Sequence, residues 1–269
     1  MKLKATVLLS TLVLSGAAFA QAAAKPASDW TVTGNASLVS DYRFRGFTQT
    51  GFGPALQGGI DLAHKSGFYV GNWNSNVLNS LYNGASLEMD FYGGYKGEIA
   101  KDLGFDVGAL YYYYPRSGKL FPGAVKINNT EVYGGLSYGP FSAKLSYSTG
   151  DYFKTAALVA APNSTKGTTY LDLSYSQEFS GYTVGAHYGL LTLRNNNQAA
   201  LVTAAVPAGP LPKHVADYKL SVGKDVYNGY VLTGAIVGTS KKFYFPNGNF
   251  GDTSAAGKTT LVVSVSKTF

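Results

Sequence analysis

From Trp30 to Arg45 the chain alternates with a period of two. Trp30, Val32, Gly34, Ala36, Leu38, Ser40, Tyr42 and Phe44 share one parity. Thr31, Thr33, Asn35, Ser37, Val39, Asp41, Arg43 and Arg45 share the other. Successive strand residues point to opposite faces, so the segment reads as one long strand with an apolar and a polar side. Strands of soluble sheets usually run about 5–6 residues. The greater length here predicts a barrel strand that projects beyond a bilayer, because a closed barrel satisfies every backbone group between its strands.

The pattern recurs along the chain. Phe141, Ala143, Leu145 and Tyr147 alternate with Ser142, Lys144, Ser146 and Ser148. Leu171, Leu173, Tyr175 and Phe179 alternate with Asp172, Ser174, Ser176 and Glu178, and Ala216, Tyr218, Leu220 and Val222 with Asp217, Lys219 and Ser221. Leu87, Met89 and Phe91 alternate with Glu88, Asp90 and Tyr92. Twelve strands are predicted, near 30–45, 54–64, 67–75, 85–97, 104–115, 127–138, 141–152, 167–179, 182–193, 213–225, 229–240 and 258–269, with ten or fourteen as the neighbouring counts. Parity stays open at 67–75, where Phe68 and Val70 compete with Tyr69 and Trp73, and at 229–240.

Connections alternate in length. Short ones fall at 64–67, 98–104, Gly139-Pro140, Ser180-Gly181 and 227–229, and long ones at 46–53, 76–84, 116–126, 153–166, Arg194–Pro212 and 241–257. Short periplasmic turns opposite long extracellular loops are the habit of an outer-membrane barrel. The expected fold class is therefore all-β, a transmembrane antiparallel β-barrel.

Residues 1–20 stand apart. Lys2 and Lys4 precede the apolar run Ala5–Leu14, and Ala18-Phe19-Ala20 forms a small-x-small cleavage site, the order of a secretory signal peptide. A short segment, 21–29, leads into a barrel expected over 30–269. Beyond the leader no apolar run reaches the roughly 20 residues a membrane helix needs, which excludes a helical membrane protein. The 269 residues include no cysteine, so disulfides, thiolate metal sites and a cysteine nucleophile are excluded together.

The chain ends on an amphipathic strand. Leu261, Val263, Val265 and Phe269 share a face, and the terminal Phe269 resembles the signal read by the Gram-negative barrel-assembly machinery, although Lys267 interrupts that face.

The words Ser40-Asp41-Tyr42-Arg43-Phe44-Arg45-Gly46, Pro54-Ala55-Leu56-Gln57-Gly58-Gly59, Ser66-Gly67-Phe68-Tyr69-Val70-Gly71-Asn72-Trp73 and Glu88-Met89-Asp90, with the tyrosine run to Tyr114-Pro115, resemble the TorF family of porin-like proteobacterial proteins of unknown function. The resemblance covers residues 38–115. It implies an outer-membrane barrel, and no substrate or catalytic residue comes with it.

Asp41, Arg43 and Arg45 would rise along the lumen about 7 Å apart, either filtering solutes or salt-bridged to Glu88, Asp90 or a carboxylate near the closing seam. Asp61, Lys144, Asp172, Asp217 and Lys219 join them as pore-lining candidates. Carboxylates outnumber cations on the inward parity, whereas the long loops are basic, which predicts a basic rim over a mildly acidic bore. Twelve strands enclose little space, so the pore should be narrow, with the loop Arg194–Pro212 long enough to fold in as a constriction. Of Tyr111–Tyr114, half should belong to an aromatic girdle and half should point inward.

His64, His187 and His214 are too scattered for a metal cluster, so no metal or cofactor is expected. A lipid-modifying enzyme would need inward-facing His187 paired with a serine and an acid near lipid. The segment Gly251–Thr259 superficially resembles a phosphate loop, but its glycine spacing is wrong. Basic residues spread over separate loops give no nucleic-acid surface. The leading expectation is a non-enzymatic channel of the cell outer membrane that passes small hydrophilic solutes, with outer-membrane lipid and lipopolysaccharide around it. The alternatives are a plugged structural or surface-binding barrel and the lipid-modifying enzyme. The oligomeric state is not readable from sequence.

Overall fold

The computed structural model describes residues 28–120, 122–154, 164–195, 212–241 and 255–269. The leader at 1–20 and nearly all of the segment 21–29 and the loop Arg194–Pro212 lie outside the described residues, as does the start of Gly251–Thr259.

The strands are β1 Trp30–Val39, β2 Arg43–Phe44, β3 Phe47–Thr48, β4 Ala55–His64, β5 Phe68–Asn76, β6 Leu87–Ala100, β7 Leu103–Tyr113, β8 Asn129–Tyr138, β9 Phe141–Ser148, β10 Thr169–Phe179, β11 Tyr182–Thr192, β12 His214–Tyr227, β13 Tyr230–Thr239 and β14 Thr260–Thr268. All but β2 and β3 form one closed antiparallel barrel of twelve strands. The seam joins β1 to β14 from Asn35–Thr268 to Val39–Ser264. Gly34 and Phe269 extend it by exchanging backbone bonds of 2.6 and 2.9 Å, which gives the terminal residue a structural place at the closure.

Turn chemistry sets the register at the periplasmic end. Asn228 and Gly229 lie between the paired Tyr227 and Tyr230, with φ of 45° and 80°. Positive φ at both central residues makes a type I′ turn, whose twist matches that of the flanking strands.

The two parities separate as alternation requires. Leu56, Phe68, Leu136, Phe141, Leu220 and Leu261 are exposed on the outer wall, while Gln57, Ser75, Glu88, Asp172 and Asp217 are buried inside. On a soluble protein this apolar surface would be anomalous; on a membrane barrel it is the belt that meets lipid. The open parities resolve at β5, where Tyr69 and Trp73 point inward, and at β13, where Ala235 and Val237 do. Tyr112 and Tyr114 are buried inside, and Tyr111 and Tyr113 are exposed outside.

The first strand departs from expectation. It ends at Val39, and the residues expected to continue it form the hairpin β2–β3 instead. Asp41 accepts a hydrogen bond from Thr48 Oγ1 at 2.5 Å, closing the chain back on itself. Arg45 and Gly46, with φ of 47° and 79°, make the two-residue turn between the paired Phe44 and Phe47. A Cβ at Gly46 would lie 2.5 Å from Thr239 and 2.7 Å from Asp217, so the hairpin tip packs against β12 and β13. Asp41, Arg43 and Arg45 therefore do not climb the wall of β1. They belong to the first external loop, which turns into the bore.

Candidate functional site

The inward hairpin carries the only cations of its loop to different partners. Arg43 pairs with Asp41 and donates to the carbonyls of Gly46 at 2.9 Å and of Ala256 and Lys258 at 3.2 Å. It ties the first external loop to the last. Arg45 points on into the bore, where its Nη2 donates to both oxygens of Glu131 at 2.9 and 2.7 Å and its Nη1 to the Tyr152 hydroxyl at 2.8 Å. Of the expected partners, Glu88, Asp90 or a carboxylate near the closing seam, the first two are not used: Arg43 pairs with Asp41, just past the seam strand β1, and Arg45 with Glu131.

Strands β1 and β8 lie on different sides of the barrel, with β4 to β7 between them along one arc and β9 to β14 along the other. The Arg45–Glu131 pair thus braces the bore across its width. Aromatic rings enclose it: the guanidinium carbon sits 4.2 Å from the centroid of Tyr170 and 4.8 Å from that of Phe44, whose ring meets Tyr112 and Phe153 edge-on. Stacked guanidinium and bidentate carboxylate contacts suit arginine and would not survive replacement by lysine. Burial pushes the Tyr152 hydroxyl up to about 12, so it meets Arg45 as a neutral phenol. The cavity left beside Arg45, among Phe44, Phe47, Tyr82, Tyr114 and Phe153, measures about 10 Å³, room for roughly one water.

A second buried layer adjoins this plug. Tyr42 donates to Glu88 Oε1 at 2.9 Å, and Asp90 lies two residues along the same face. Both carboxylates are buried, and neither meets a cation in an ion pair among the described residues.

On β10, β11 and β12 the wall carries a polar cluster. His187 Nδ1 lies 3.2 Å from Asp172 and its Nε2 lies 2.9 Å from Asp217. Tyr170 donates to Asp217 at 3.0 Å, and Ser174 to Asp172 at 2.7 Å. Ser174 Oγ is also 3.2 Å from His187 Nδ1, so a serine, a histidine and an acid do meet here. They face the lumen, away from lipid. Each ring nitrogen of His187 faces a carboxylate, so the imidazole is held between two acids and is not aimed at the serine alone. The cluster reads as charge pairing on a wall.

Toward the periplasm, Asp61 accepts from the Tyr92 hydroxyl at 2.5 Å and Asp106 from that of Tyr69 at 2.6 Å. The Lys96 and Lys144 ammoniums each stand 5.3 Å from a ring centroid, of Tyr69 and Tyr133 respectively. Lys219 lies directly opposite His187 in the register of β11 and β12.

A family model described as a bacterial protein of unknown function, Gcw_chp, matches residues 23–269. The chain belongs to the Gcw_chp family. That match carries a different name from TorF, the family its words at 38–115 resemble. No curated protein matches the sequence. Among solved structures, the Gcw_chp chain is similar to one described as KdgM porin, with a TM-score of 0.52 at 10% identity over 88% of this chain and 99% of that one. It is equally similar to the NanC porin structure, with a TM-score of 0.52 at 9% identity over 89% and 99%. A third, KdgM porin in complex with disordered oligogalacturonate, gives 0.51 at 9% identity over 88% and 98%. The Gcw_chp barrel thus has the fold of outer-membrane porins.

Sequence reasoning placed Asp61, Glu88, Asp90, Lys144, Asp172, Asp217 and Lys219 on the inward parity, and the strands of the Gcw_chp chain carry them there. It did not single out Tyr152 or Tyr170. Tyr170 shares the parity of Asp172 and was legible on that ground; Tyr152 closes the expected strand 141–152, but β9 ends at Ser148 and Tyr152 lies in the external loop beyond it.

Proposed function

We propose that this protein is a passive outer-membrane channel for small hydrophilic solutes, delivered by the leader at 1–20, whose external half is closed by its own first loop. The observation that carries the reading is the contrast between the two halves of the bore. Externally, Phe44, Arg45, Phe47, Tyr114, Tyr152 and Phe153 pack around a cavity of about 10 Å³, with Arg45 held by Glu131 beside it. Below, the inward parity turns to hydroxyls, with Ser174, Ser176, Ser221, Thr233 and Ser264 only half-buried. A barrel that only stiffened a membrane would gain more from an apolar interior than from this polar wall. A structure of similar fold is described as KdgM porin in complex with disordered oligogalacturonate, a hydrophilic ligand, which supports a hydrophilic solute here.

In this reading the outer apolar belt is covered by membrane lipid, the cations of the external loops meet lipopolysaccharide phosphates, and Phe269 is the end handled by the assembly machinery. A permanently plugged barrel is the second reading, and the packed external layer favours it. Conductance of the refolded protein in a planar bilayer separates the two. The channel reading expects discrete steps that grow when Arg45 is replaced; silence before and after replacement would leave the plugged barrel.

A further inference from the structure

Two cations stand on the lipid-facing side of the wall. Among the described strand residues that parity carries no aspartate, glutamate or arginine, and its lysines are Lys224 and Lys267. A lysine facing lipid is costly at the middle of a bilayer and cheap at its boundary. Both lie at the boundary. Lys224 stands directly opposite Tyr182, the first residue of β11, and Lys267 opposite Tyr230, the first residue of β13. Those tyrosines follow the tight turns at Ser180-Gly181 and Asn228-Gly229, so both lysines are level with the periplasmic ends of their strands.

The two lysines share one geometry. Lys224 Nζ lies 4.6 Å from the ring centroid of Tyr182 and donates to its hydroxyl at 3.2 Å, and Lys267 Nζ lies 4.3 Å from the ring centroid of Tyr230. Each ammonium is held against the wall by a cross-strand ring, which leaves its charge intact. Neither forms an ion pair among the described residues. Asp225, the nearest carboxylate along the chain, has the inward parity and accepts from the Gly229 amide at 3.0 Å.

They also share one strip of wall. Leu232 opposes Lys224 on one side and Val265 on the other, and Lys267 lies two residues beyond Val265 on the same face. Two strand spacings across and two residues along put the lysine backbones about 12 Å apart. Toward the bilayer centre, Gly234 opposes both Val222 and Val263, and nothing lies within 4 Å of where its Cβ would stand. Val222 and Val263 are exposed on either side, so the glycine leaves a shallow apolar furrow between them. The strip has a cationic head at the level of phospholipid headgroups and an apolar furrow at the level of acyl chains. Its charge complements an anionic lipid, because no carboxylate on this face competes for the lysines.

We infer that Lys224 and Lys267, with Tyr182 and Tyr230, form a site for the headgroup of an anionic phospholipid of the periplasmic leaflet, with an acyl chain lying in the furrow over Gly234. The site stands whether or not the bore conducts. To test it, the full mature protein is refolded in a non-ionic detergent and given equal amounts of phosphatidylglycerol and phosphatidylethanolamine with the same acyl chains. The lipid it retains is counted by native mass spectrometry. Both headgroups carry one phosphate, but only phosphatidylethanolamine adds an ammonium. Wild type should retain phosphatidylglycerol about fivefold over phosphatidylethanolamine, the effect of one net charge beside a lysine at a membrane surface. The ratio should fall to about one when Lys224→Gln and Lys267→Gln are combined in a barrel that stays heat-modifiable, and it should persist when both lysines are replaced by arginine. Equal retention of the two lipids by wild type overturns the site, as does a preference that survives the glutamine changes or is lost with arginine. A second measurement needs no variant: raising the salt about tenfold should bring the wild-type ratio toward one, and an unchanged ratio overturns the site as well.

Discussion

Arg45 Nη2 reaches both oxygens of Glu131 at 2.9 and 2.7 Å from a loop that begins at the far end of β1. Loop and wall are held by a buried, charge-assisted contact, the kind whose loss leaves an unpaired charge behind.

Replacing Arg45 with Met should therefore release the loop while the barrel stays closed. The expected local loss is about 3–5 kcal/mol. Hydrogen exchange should rise across residues 40–54 with little change in the strands. Combining Arg45→Met with Glu131→Gln should lose much less than the sum of the single changes, because the second removes the charge that the first leaves stranded. Additive losses would mean that the two side chains do not act as a pair.

Gly189→Ala should disturb the wall. Its Cβ would lie 2.1 Å from the Tyr170 hydroxyl and 2.3 Å from Asp217 Oδ2, and overpacking of this kind typically costs about 1–3 kcal/mol. At Gly234, on the outer face of β13, nothing lies within 4 Å of a Cβ, so Gly234→Ala serves as the control. The midpoint of heat modifiability in detergent should drop for the first variant only.

Detergent-solubilised protein should not hydrolyse phospholipid or short acyl esters, because His187 is held between Asp172 and Asp217 on the luminal side. Hydrolysis abolished by His187→Gln would contradict that assignment and restore the enzymatic reading.

Deleting Phe269 should lower the yield of assembled barrel in cells, since it removes the Gly34 backbone pair at the seam as well as the terminal aromatic. Phe269→Ala keeps the backbone bonds, so comparing the two separates closure from recognition. Equal yields of both variants and wild type would remove Phe269 from any role in assembly.

Alternation carried most of the fold because a barrel strand has one wet and one lipid side along its whole length. Asp172 and Asp217 were legible inside for that reason. The rule failed where the chain left the wall. Asp41, Arg43 and Arg45 keep the parity of β1 in sequence, but the positive φ at Arg45 and Gly46 turns them into a hairpin, and alternation says nothing about where a hairpin goes. Which wall residues stand opposite one another, such as Lys144 and Asp172, was not legible either, since register between strands depends on turn length and shear, and neither is visible along a single strand.

The most direct test is single-channel conductance of the refolded mature protein and of Arg45→Met in a planar bilayer under a salt gradient. An external plug over an acidic bore predicts small steps for wild type, larger steps for Arg45→Met, and a reversal potential of cation-selective sign in both. A silent Arg45→Met barrel, or one with strong anion preference, would contradict it.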